Sequence, residues 1–497
     1  MPEHLRSLIV ILLLASTVFA LAHRTVCTIS EAGDFTRRRN IWLALTLAAF
    51  LAQNFWLYTL IAIVLLVYSN RREYNPPALF FFLMFALPVA SIPIPGMGLI
   101  NFIFDLSHLR ILALVILLPV FFSLRRENDN LSFGRCWPDK ALAAYLVLTL
   151  ILALLREPNV TNTLRHAFYL FVDIFLPYFV ISRSLKNMQV FRDAILSLVL
   201  AIIVIAAIAT AEFYKQWLLY APLIMALDLQ GMGGYLGRDG MLRSSGSAGQ
   251  PIALGYLMTV GIGLYLFLQR YIQRNLIRRS GMVLLFTGLI VSLSRGPWVG
   301  AAVLLLVFVA TGRNPFRRLM SLALAAMLAL PLIAVIPGGE RVINLLPFIG
   351  STEKGSIDYR QDLFTNSMIV IQRNPWFGSN DSLKAPEMEA MRQGEGIIDI
   401  VNSYLSVALE TGFVGLGLFV GFFVMTLVGM FRAMLSISDK ASEEYLLGRV
   451  LLSTLIAILI TISTVSSITF IPIVYWSVAG LGVAYANMIK KQKRGQI

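Results

Sequence analysis

The sequence predicts an all-α membrane protein that crosses the bilayer many times and has two longer outward-facing loops. Of its 497 residues, 58% are hydrophobic and only 14% are charged, against roughly a quarter charged in a soluble domain. Apolar runs long enough to span about 30 Å of hydrocarbon recur from Ser7 to Ile489. The runs are continuous rather than alternating, which favours helices over a barrel. No polar block is large enough for a soluble domain, so residues 1–497 are interpreted as a single transmembrane domain.

Each apolar run predicts one helix, which makes about 14 crossings. With boundaries good to a few residues, the runs are 7–22, 41–68, 78–92, 109–124, 141–155, 166–182, 193–212, 252–269, 281–294, 296–311, 319–336, 405–431, 450–468 and 470–489. The first run is interpreted as a helix rather than a signal peptide, because the residues before it are weakly basic and no small-x-small cleavage site follows it. The run 41–68 is long for one crossing. It is therefore either a tilted helix or a hairpin broken near Gln53 and Asn54.

Basic residues in the short loops predict which loops face the cytoplasm. The loops that carry them and alternate as required are 71–72, 125–126, 183–186, 270–279 and 313–318, together with the tail 490–494. This orientation puts both termini inside and the two longest loops, about 213–251 and about 337–404, outside. Arg37 to Arg39 conflict with it unless the run 41–68 is a hairpin. Long loops confined to one face suggest a functional site on that face.

Charge and cysteine content exclude several function classes. The formal charge of +14 is dispersed through short loops rather than gathered on a soluble face, so no nucleic-acid partner is expected. Cys27 and Cys136 fall in loops predicted to lie on opposite sides of the membrane, so they cannot form a disulfide with each other. No metal-ligand spacing is visible, and neither a metal nor another cofactor is expected.

Two of the outer segments place arginine beside small residues. Arg238 and Arg243 precede a stretch rich in Ser and Gly that leads into the helix predicted from Ile252. Guanidinium groups and the N–H groups of a helix start can together hold an anion; a flexible loop with ordinary surface arginines is the alternative. The second segment, 293–298, is a tight turn with Arg295 at its apex. Snorkelling of this arginine to lipid phosphate is the alternative to a role in a site.

The third segment is the long outer loop with the helix start that follows it. Its motifs are Tyr359-Arg360-Gln361, IVIQRNPWFG at 369–378, Asp399-Ile-Val-Asn402-Ser-Tyr-Leu405 and Glu410-Thr-Gly-Phe-Val-Gly415. A short amphipathic helix is predicted, with Phe364, Met368 and Ile371 on one face and its end at Asn374-Pro375. Such a helix either lies on the membrane surface as a lid or packs the loop down.

The order of these motifs resembles the O-antigen ligase and polymerase superfamily. The resemblance covers about residues 238–425 and includes the arginine-led loop, the Ser-Arg-Gly turn, Asn-Pro-Trp-x-Gly, Asn-Ser-Tyr-Leu and Glu-x-Gly-x-x-Gly. It implies metal-independent glycosyl transfer from a glycan on undecaprenyl diphosphate, at the periplasmic face of the bacterial inner membrane. It also implies diphosphate binding by Arg243, Arg238 and Arg295 and a catalytic role for Arg360. Independently of the family, a diphosphate leaving group gathers negative charge, which guanidinium groups at a water-poor boundary stabilise.

The histidine of the ligase pattern is missing from this chain. In that pattern a histidine directly precedes the asparagine that aligns with Asn402, and Val401 stands there instead. Valine cannot accept a proton, so another group must act if a base works from this position. Asp399 is the nearest candidate and Glu395 the next. Asp399 and Asn402 are therefore predicted, with Arg360, as the catalytic residues.

The missing histidine favours a polymerase of O-antigen or exopolysaccharide repeat units over a ligase that transfers the glycan to lipid A core or protein. A secondary transporter is the alternative from another class, but few charges, namely Asp105, Arg110 and Asp173, lie near or within helices. His166, beside Arg165, is the one other histidine to test, with a structural role as its alternative. The expected partners are the undecaprenyl diphosphate-linked oligosaccharide and membrane lipids; candidate partners are a chain-length regulator and a flippase.

Overall fold

Helices run back and forth between two ends of the structure, which is a computed structural model. The structure describes residues 1–96, 98, 101–127, 131–227, 229, 234–238, 240–335, 354–393 and 396–494. The elements up to the first long loop are α1 (Glu3–Val26), α2 (Ala32–Ala52), α3 (Phe55–Asn70), α4 (Pro76–Leu83), β1 (Ser91–Pro95), β2 (Phe102–Ser107), α5 (His108–Arg126), α6 (Trp137–Arg156), α7 (Val160–Ser184) and α8 (Met188–Lys215). Those that follow are α9 (Ala221–Ala226), β3 (Gly237–Arg238), β4 (Met241–Leu242), α10 (Pro251–Leu268), α11 (Asn275–Val291), α12 (Arg295–Ala310), α13 (Pro315–Val335), α14 (Lys354–Arg373), α15 (Pro386–Glu389), α16 (Ser403–Leu435), α17 (Glu443–Ile462) and α18 (Ile471–Arg494).

Nine helices in the described part of the chain are long and apolar enough to span a membrane. They are α1, α5, α6, α7, α8, α10, α16, α17 and α18; α3 and α12 are shorter apolar helices. The centre of the bundle consists of α8, α10, α17 and α18, each of which is at least 78% buried over its spanning part. A helical, multi-pass architecture is therefore confirmed, while the count of about 14 crossings stays a prediction.

The long apolar run 41–68 is broken into α2 and α3. Gln53, directly after α2, adopts a left-handed conformation with φ 48°. The side chain of Asn54 then accepts hydrogen bonds from the backbone N–H groups of Trp56 and Leu57, which caps the start of α3. The two helices pack against each other. Of the two predicted alternatives, the hairpin broken near Gln53 and Asn54 is confirmed.

This hairpin changes the position of the amino terminus. Trp217 Nε1, just after α8, donates to the Glu3 carboxylate at 2.9 Å. At the other end of α1, Gln189 Nε2 donates to the Ile29 carbonyl at 2.7 Å. The amino terminus therefore lies at the same end as the 213–251 loop, and its predicted placement at the opposite end is wrong, because the chain makes one more pass before α4.

The end opposite the long loops, called here the basic end, gathers the loops that were predicted to be cytoplasmic. Arg38, only 2% exposed, donates to the carboxylates of Glu73 at 2.6 Å and Asp193 at 2.7 Å. Arg37 also pairs with Glu73, at 2.8 Å. The conflict that Arg37 to Arg39 posed for the predicted orientation is removed, since they lie at the same end as the loop 71–72.

Both cysteines also lie at the basic end. Cys27 directly follows α1, two residues before the carbonyl that binds Gln189. Cys136 Sγ lies 3.4 Å from Oδ1 of Asn487, near the end of α18. The prediction that the two lie on opposite sides is wrong, for the same reason as the amino terminus. Both are free thiols in the structure.

The apolar run 78–92 does not form a crossing helix, which corrects the prediction for this stretch. The helix α4 has only eight residues, and buried residues up to Ala90 lead on into β1. β1 pairs with β2 in an antiparallel hairpin in which Ser91 faces Ser107. Prolines at 88, 93 and 95 explain the break, because proline has no N–H donor and disrupts helix geometry.

The end opposite the basic end, called here the loop end, carries both long loops. The described part of the longer loop forms a small apolar core with the start of α16, made by Leu363, Val370, Ile371, Met388, Met391, Leu405, Ala408 and Leu409. α14 ends at Arg373, as Asn374-Pro375 predicted. Its predicted apolar face is wrong at Phe364, which is 54% exposed, whereas Leu363 is 1% exposed. α14 is thus packed onto α16 through a face rotated by about one residue.

Candidate functional site

Arg238 and Arg243 both bind the tight turn between α11 and α12. Arg238 Nη1 donates to the carbonyl of Leu293 at 2.6 Å, and Arg243 Nη2 donates to Ser294 Oγ at 3.0 Å. The turn is sharp because Leu293 adopts the left-handed conformation, with φ 45°. Arg295, the first residue of α12, directly follows it. The first two segments singled out in the sequence therefore meet.

A buried carboxylate holds both ends of the loop that carries these arginines. Glu212, in the last turn of α8, is 0% exposed. One of its oxygens accepts a hydrogen bond from the N–H of Leu219 at 2.9 Å. The other accepts from the N–H groups of Ser245 at 3.1 Å and Gly246 at 2.8 Å. Glu212 thus fixes the chain directly after Arg243 to α8. Sequence reasoning missed it, although an acid inside an apolar run is a recognised signal of a special role.

The segment between α17 and α18, residues 463–470, lies at the centre of the loop end. The carbonyl of Thr464 accepts from Arg360 Nη2 at 3.4 Å. The Thr464 side chain packs so closely on α12 that a Cβ added at Gly296 would overlap it. Arg360 is therefore held beside the same turn that binds Arg238 and Arg243. The helix predicted over 450–468 ends earlier, since α17 ends at Ile462. The hydroxyl groups of Ser463 and Thr464 then hydrogen-bond local backbone carbonyls.

Asp399 and Asn402, the other predicted catalytic residues, lie against this segment. Ser466 Oγ donates to Asp399 Oδ1 at 2.6 Å, and Ser403 Oγ donates to the Val465 carbonyl at 2.9 Å. The Asn402 side chain accepts from the two backbone N–H groups that follow Ser403 and is the N-cap of α16. A cap of this kind is a structural contact. Asp399, in contrast, is an exposed side chain.

Tyr359, which lies on α14, contacts the loop that carries Asp399. Its hydroxyl donates to the Asp399 backbone carbonyl at 3.0 Å. Burial raises the pKa of Tyr359, and the negative charge of Asp399 raises it further, so the phenol stays a proton donor at neutral pH. Because Tyr359 is next to Arg360 in the chain, this contact couples the positions of Arg360 and Asp399.

The Asn-Pro-Trp-x-Gly and Glu-x-Gly motifs bind each other through their backbones. Gly412 interrupts α16 with φ 66° and ψ −168°. The freed N–H of Phe413 donates to the Pro375 carbonyl at 2.7 Å. A Cβ on Gly412 would overlap the backbone of Trp376. Both motifs therefore build a junction between the outer loop and a kink in α16.

Arg156, at the end of α6, completes this junction and was missed in the sequence. Its Nη1 donates to the Glu410 carbonyl at 2.8 Å, and its Nη2 donates to the carbonyls of Phe377 and Gly378, both at 2.9 Å. A kinked helix leaves carbonyls without an intrahelical donor, and a guanidinium with five N–H groups can satisfy several of them. The sequence signal was an arginine at the outer end of a predicted helix.

The remaining candidates lie elsewhere. Val401 is half-buried, and its N–H donates to the Asp399 carbonyl at 3.0 Å. Arg165, beside His166, donates to the carbonyl of Phe102 at 2.6 Å and so belongs with the β1–β2 hairpin. Glu395 lies outside the described residues.

Arg238, Arg243 and Arg360 are thus held on or beside the turn between α11 and α12, and Arg295 directly follows this turn. All four arginines are half-buried. One exposed carboxylate, Asp399, is coupled to them through Tyr359 and the segment 463–470. Guanidinium groups bind phosphate oxygens in bidentate geometry, and a carboxylate can accept a proton from a hydroxyl group. The arrangement suits the binding of a phosphorylated leaving group next to a hydroxyl nucleophile.

Comparison with known proteins relates part of the chain to a known family. No curated protein matches the chain. Residues 280–420 match the protein-family model described as O-Antigen ligase. The matched range contains the turn with Arg295, the outer loop with Arg360 and Asp399, and the kink at Gly412. The similarity of this chain to the O-antigen ligase and polymerase superfamily, first indicated by its motifs, is thereby confirmed over residues 280–420.

Proposed function

We propose that this chain is a membrane glycosyltransferase that moves a growing glycan from undecaprenyl diphosphate onto the next lipid-linked repeat unit. The convergence of Arg238, Arg243 and Arg360 near one turn, with Arg295 directly after it, carries the proposal. The family match over residues 280–420 supports glycosyl transfer in general. The preference for polymerisation over ligation rests on Val401, which stands where the ligase pattern has histidine.

In the proposed reaction, the arginines bind the diphosphate and stabilise the charge that it gains as it leaves. The acceptor hydroxyl oxygen forms a bond to the anomeric carbon while the bond from that carbon to the diphosphate oxygen breaks. The electron pair of the broken bond leaves with the diphosphate, and the hydroxyl proton passes to Asp399. No divalent cation is required in this scheme, because guanidinium groups supply the positive charge.

The first test is a gel ladder made with purified protein and an undecaprenyl diphosphate-linked repeat unit as the sole substrate. Wild-type protein should produce longer lipid-linked glycans, with and without EDTA. Arg360→Ala should lose about 100-fold or more in rate, because a positioned charge donor is removed. Arg373→Ala is the matched control, since Arg373 lies on the same helix but pairs with Glu387. Equal ladders from both variants would remove Arg360 from the site.

A ligase is the second candidate, and the description of the matched family as O-Antigen ligase favours it. The same arginines would bind the donor, and the acceptor would be lipid A core or a protein hydroxyl. Wild-type protein would then form no ladder alone but would transfer the glycan once such an acceptor is added. Absence of both products would contradict both candidates and favour a transporter.

Asp399 is tested separately as the proposed base. Asp399→Asn keeps the size of the side chain and can still accept from Ser466, but an amide cannot take up the acceptor proton. We expect transfer to fall by about 100-fold or more while binding of the lipid-linked donor is unchanged. Full activity of this variant would assign the proton to another group.

A further inference from the structure

A cavity of about 710 Å³ lies at the basic end, away from the candidate site. It is formed where the start of α6, the last turns of α16 and the last turns of α18 meet. Basic and apolar side chains from these three segments line it. Nothing in the proposed glycosyl transfer uses these residues.

Four basic side chains line the cavity and come from three distant parts of the chain. Arg135 precedes α6, Arg432 lies near the end of α16, and Lys490 and Lys493 lie near the end of α18. All four are exposed. Among the described lining residues there is no acid. The nearest buried carboxylate in α6, Asp139, is 0% exposed and is paired with Arg183 at 2.6 Å. The cavity therefore has a net positive charge that attracts an anion.

Most of the remaining lining residues are apolar, and this part of the wall continues along the exposed face of α16. Val424 is 48% exposed, Met425 38% and Val428 41%. Trp137, at the rim, is 69% exposed and lies under the ammonium group of Lys140, 4.7 Å from the ring centroid. Tryptophan and lysine in this arrangement are typical of the membrane–water interface. An occupant with an anionic head and hydrocarbon chains would match both parts of the wall.

We propose that this cavity binds the headgroup phosphate of an anionic phospholipid, whose acyl chains lie along the exposed apolar face of α16. Basic cavities between helices at the cytoplasmic side of a membrane bind such headgroups. A free phosphate or a nucleotide would leave the apolar wall next to Val424 and Val428 unused. The lipid would connect α6, α16 and α18 at the end opposite the candidate site.

The test measures lipid retention by native mass spectrometry of the full-length protein in detergent with equal amounts of phosphatidylglycerol and phosphatidylcholine. Wild-type protein should retain phosphatidylglycerol preferentially. The double variant Arg432→Gln with Lys493→Gln should bind it about 30-fold more weakly, from the loss of two charges near the membrane surface. The double variant Arg274→Gln with Arg317→Gln is the matched control, since it removes two exposed charges at the same end but outside the cavity.

Three results would overturn the proposal. Equal losses in the two double variants would mean that general basic charge, and not the cavity, attracts the lipid. Equal retention of the two lipids by wild-type protein would mean that there is no anionic site. Full competition by soluble glycerol phosphate, at the concentration of the lipid, would assign the cavity to a water-soluble anion. Thermal unfolding of every variant is measured in parallel, and an unchanged midpoint shows that each loss reflects binding.

Discussion

Glu212 offers a quantitative test of how the candidate site is held, because it binds three backbone N–H groups without a cation beside it in the described contacts. Glu212→Ala leaves those three buried donors without their acceptor. An unsatisfied buried donor costs about 1–3 kcal/mol, so the sum is about 3–9 kcal/mol. Glu212→Gln keeps one oxygen, which can continue to bind Ser245 and Gly246. It loses the bond to Leu219, which leaves one buried donor unsatisfied at a cost of about 1–3 kcal/mol.

The assay is thermal unfolding in detergent, followed by the glycan ladder for each variant that remains folded at the assay temperature. We expect the midpoint to fall in the order wild type, Glu212→Gln, Glu212→Ala, and the transfer rate to fall in the same order, because the loop with Arg243 loses its anchor. Asp381→Asn is the control, since Asp381 is an exposed acid of the outer loop that pairs with Lys384. A Glu212→Ala variant that unfolds at the wild-type temperature would refute the anchoring role.

Three further predictions follow from named contacts. Gly412→Ala should destabilise the protein by more than about 3 kcal/mol, because a Cβ overlaps the Trp376 backbone and φ is positive. If this variant unfolds at the wild-type temperature, the close backbone contact between Gly412 and Trp376 is not important for stability. Asn402→Ala should lower the free energy of unfolding by about 1 kcal/mol, because the N-cap of α16 is lost, whereas Asn402→Asp should retain both stability and activity. Loss of activity in Asn402→Asp at full stability would show a catalytic role. In intact cells, a membrane-impermeant maleimide should label Asn380→Cys, at the loop end, but not the two native cysteines at the basic end. The reverse pattern would invert the orientation.

The fold class could be predicted from the sequence because continuous apolar runs of spanning length have few structural solutions in a membrane. The errors arose where a run of apolar residues does not form one helix. The run 41–68 contains Gln53 and Asn54, whose side chains and backbone end one helix and cap the next. The run 78–92 contains or precedes three prolines, which a hydropathy pattern does not register. One missed pass was enough to reverse the predicted position of the amino terminus.

The candidate site was predicted in part. Arginines in loops are visible because they interrupt an apolar background, and Arg238, Arg243 and Arg360 do lie around one turn. The residues that hold them there were missed. Glu212 is the last residue of a predicted apolar run. Thr464 belongs to a Ser- and Thr-rich segment that the hydropathy pattern predicted as part of a helix, although α17 ends at Ile462. Such contacts are formed by backbone atoms of distant segments, and no local pattern records them.

The matched motifs divide into two kinds of residue with different consequences. Gly412 and the Asn-Pro-Trp-x-Gly segment form a backbone junction, which Arg156 completes with three hydrogen bonds to carbonyls. These residues determine where α16 bends and how the outer loop is attached to it. Arg295, Arg360 and Asp399 instead contribute charged side chains to the candidate site. Both kinds of residue lie within the matched range 280–420. Val401 stands in the same range where the ligase pattern has histidine, so the polymerase and ligase alternatives have to be separated by the acceptor that the protein uses.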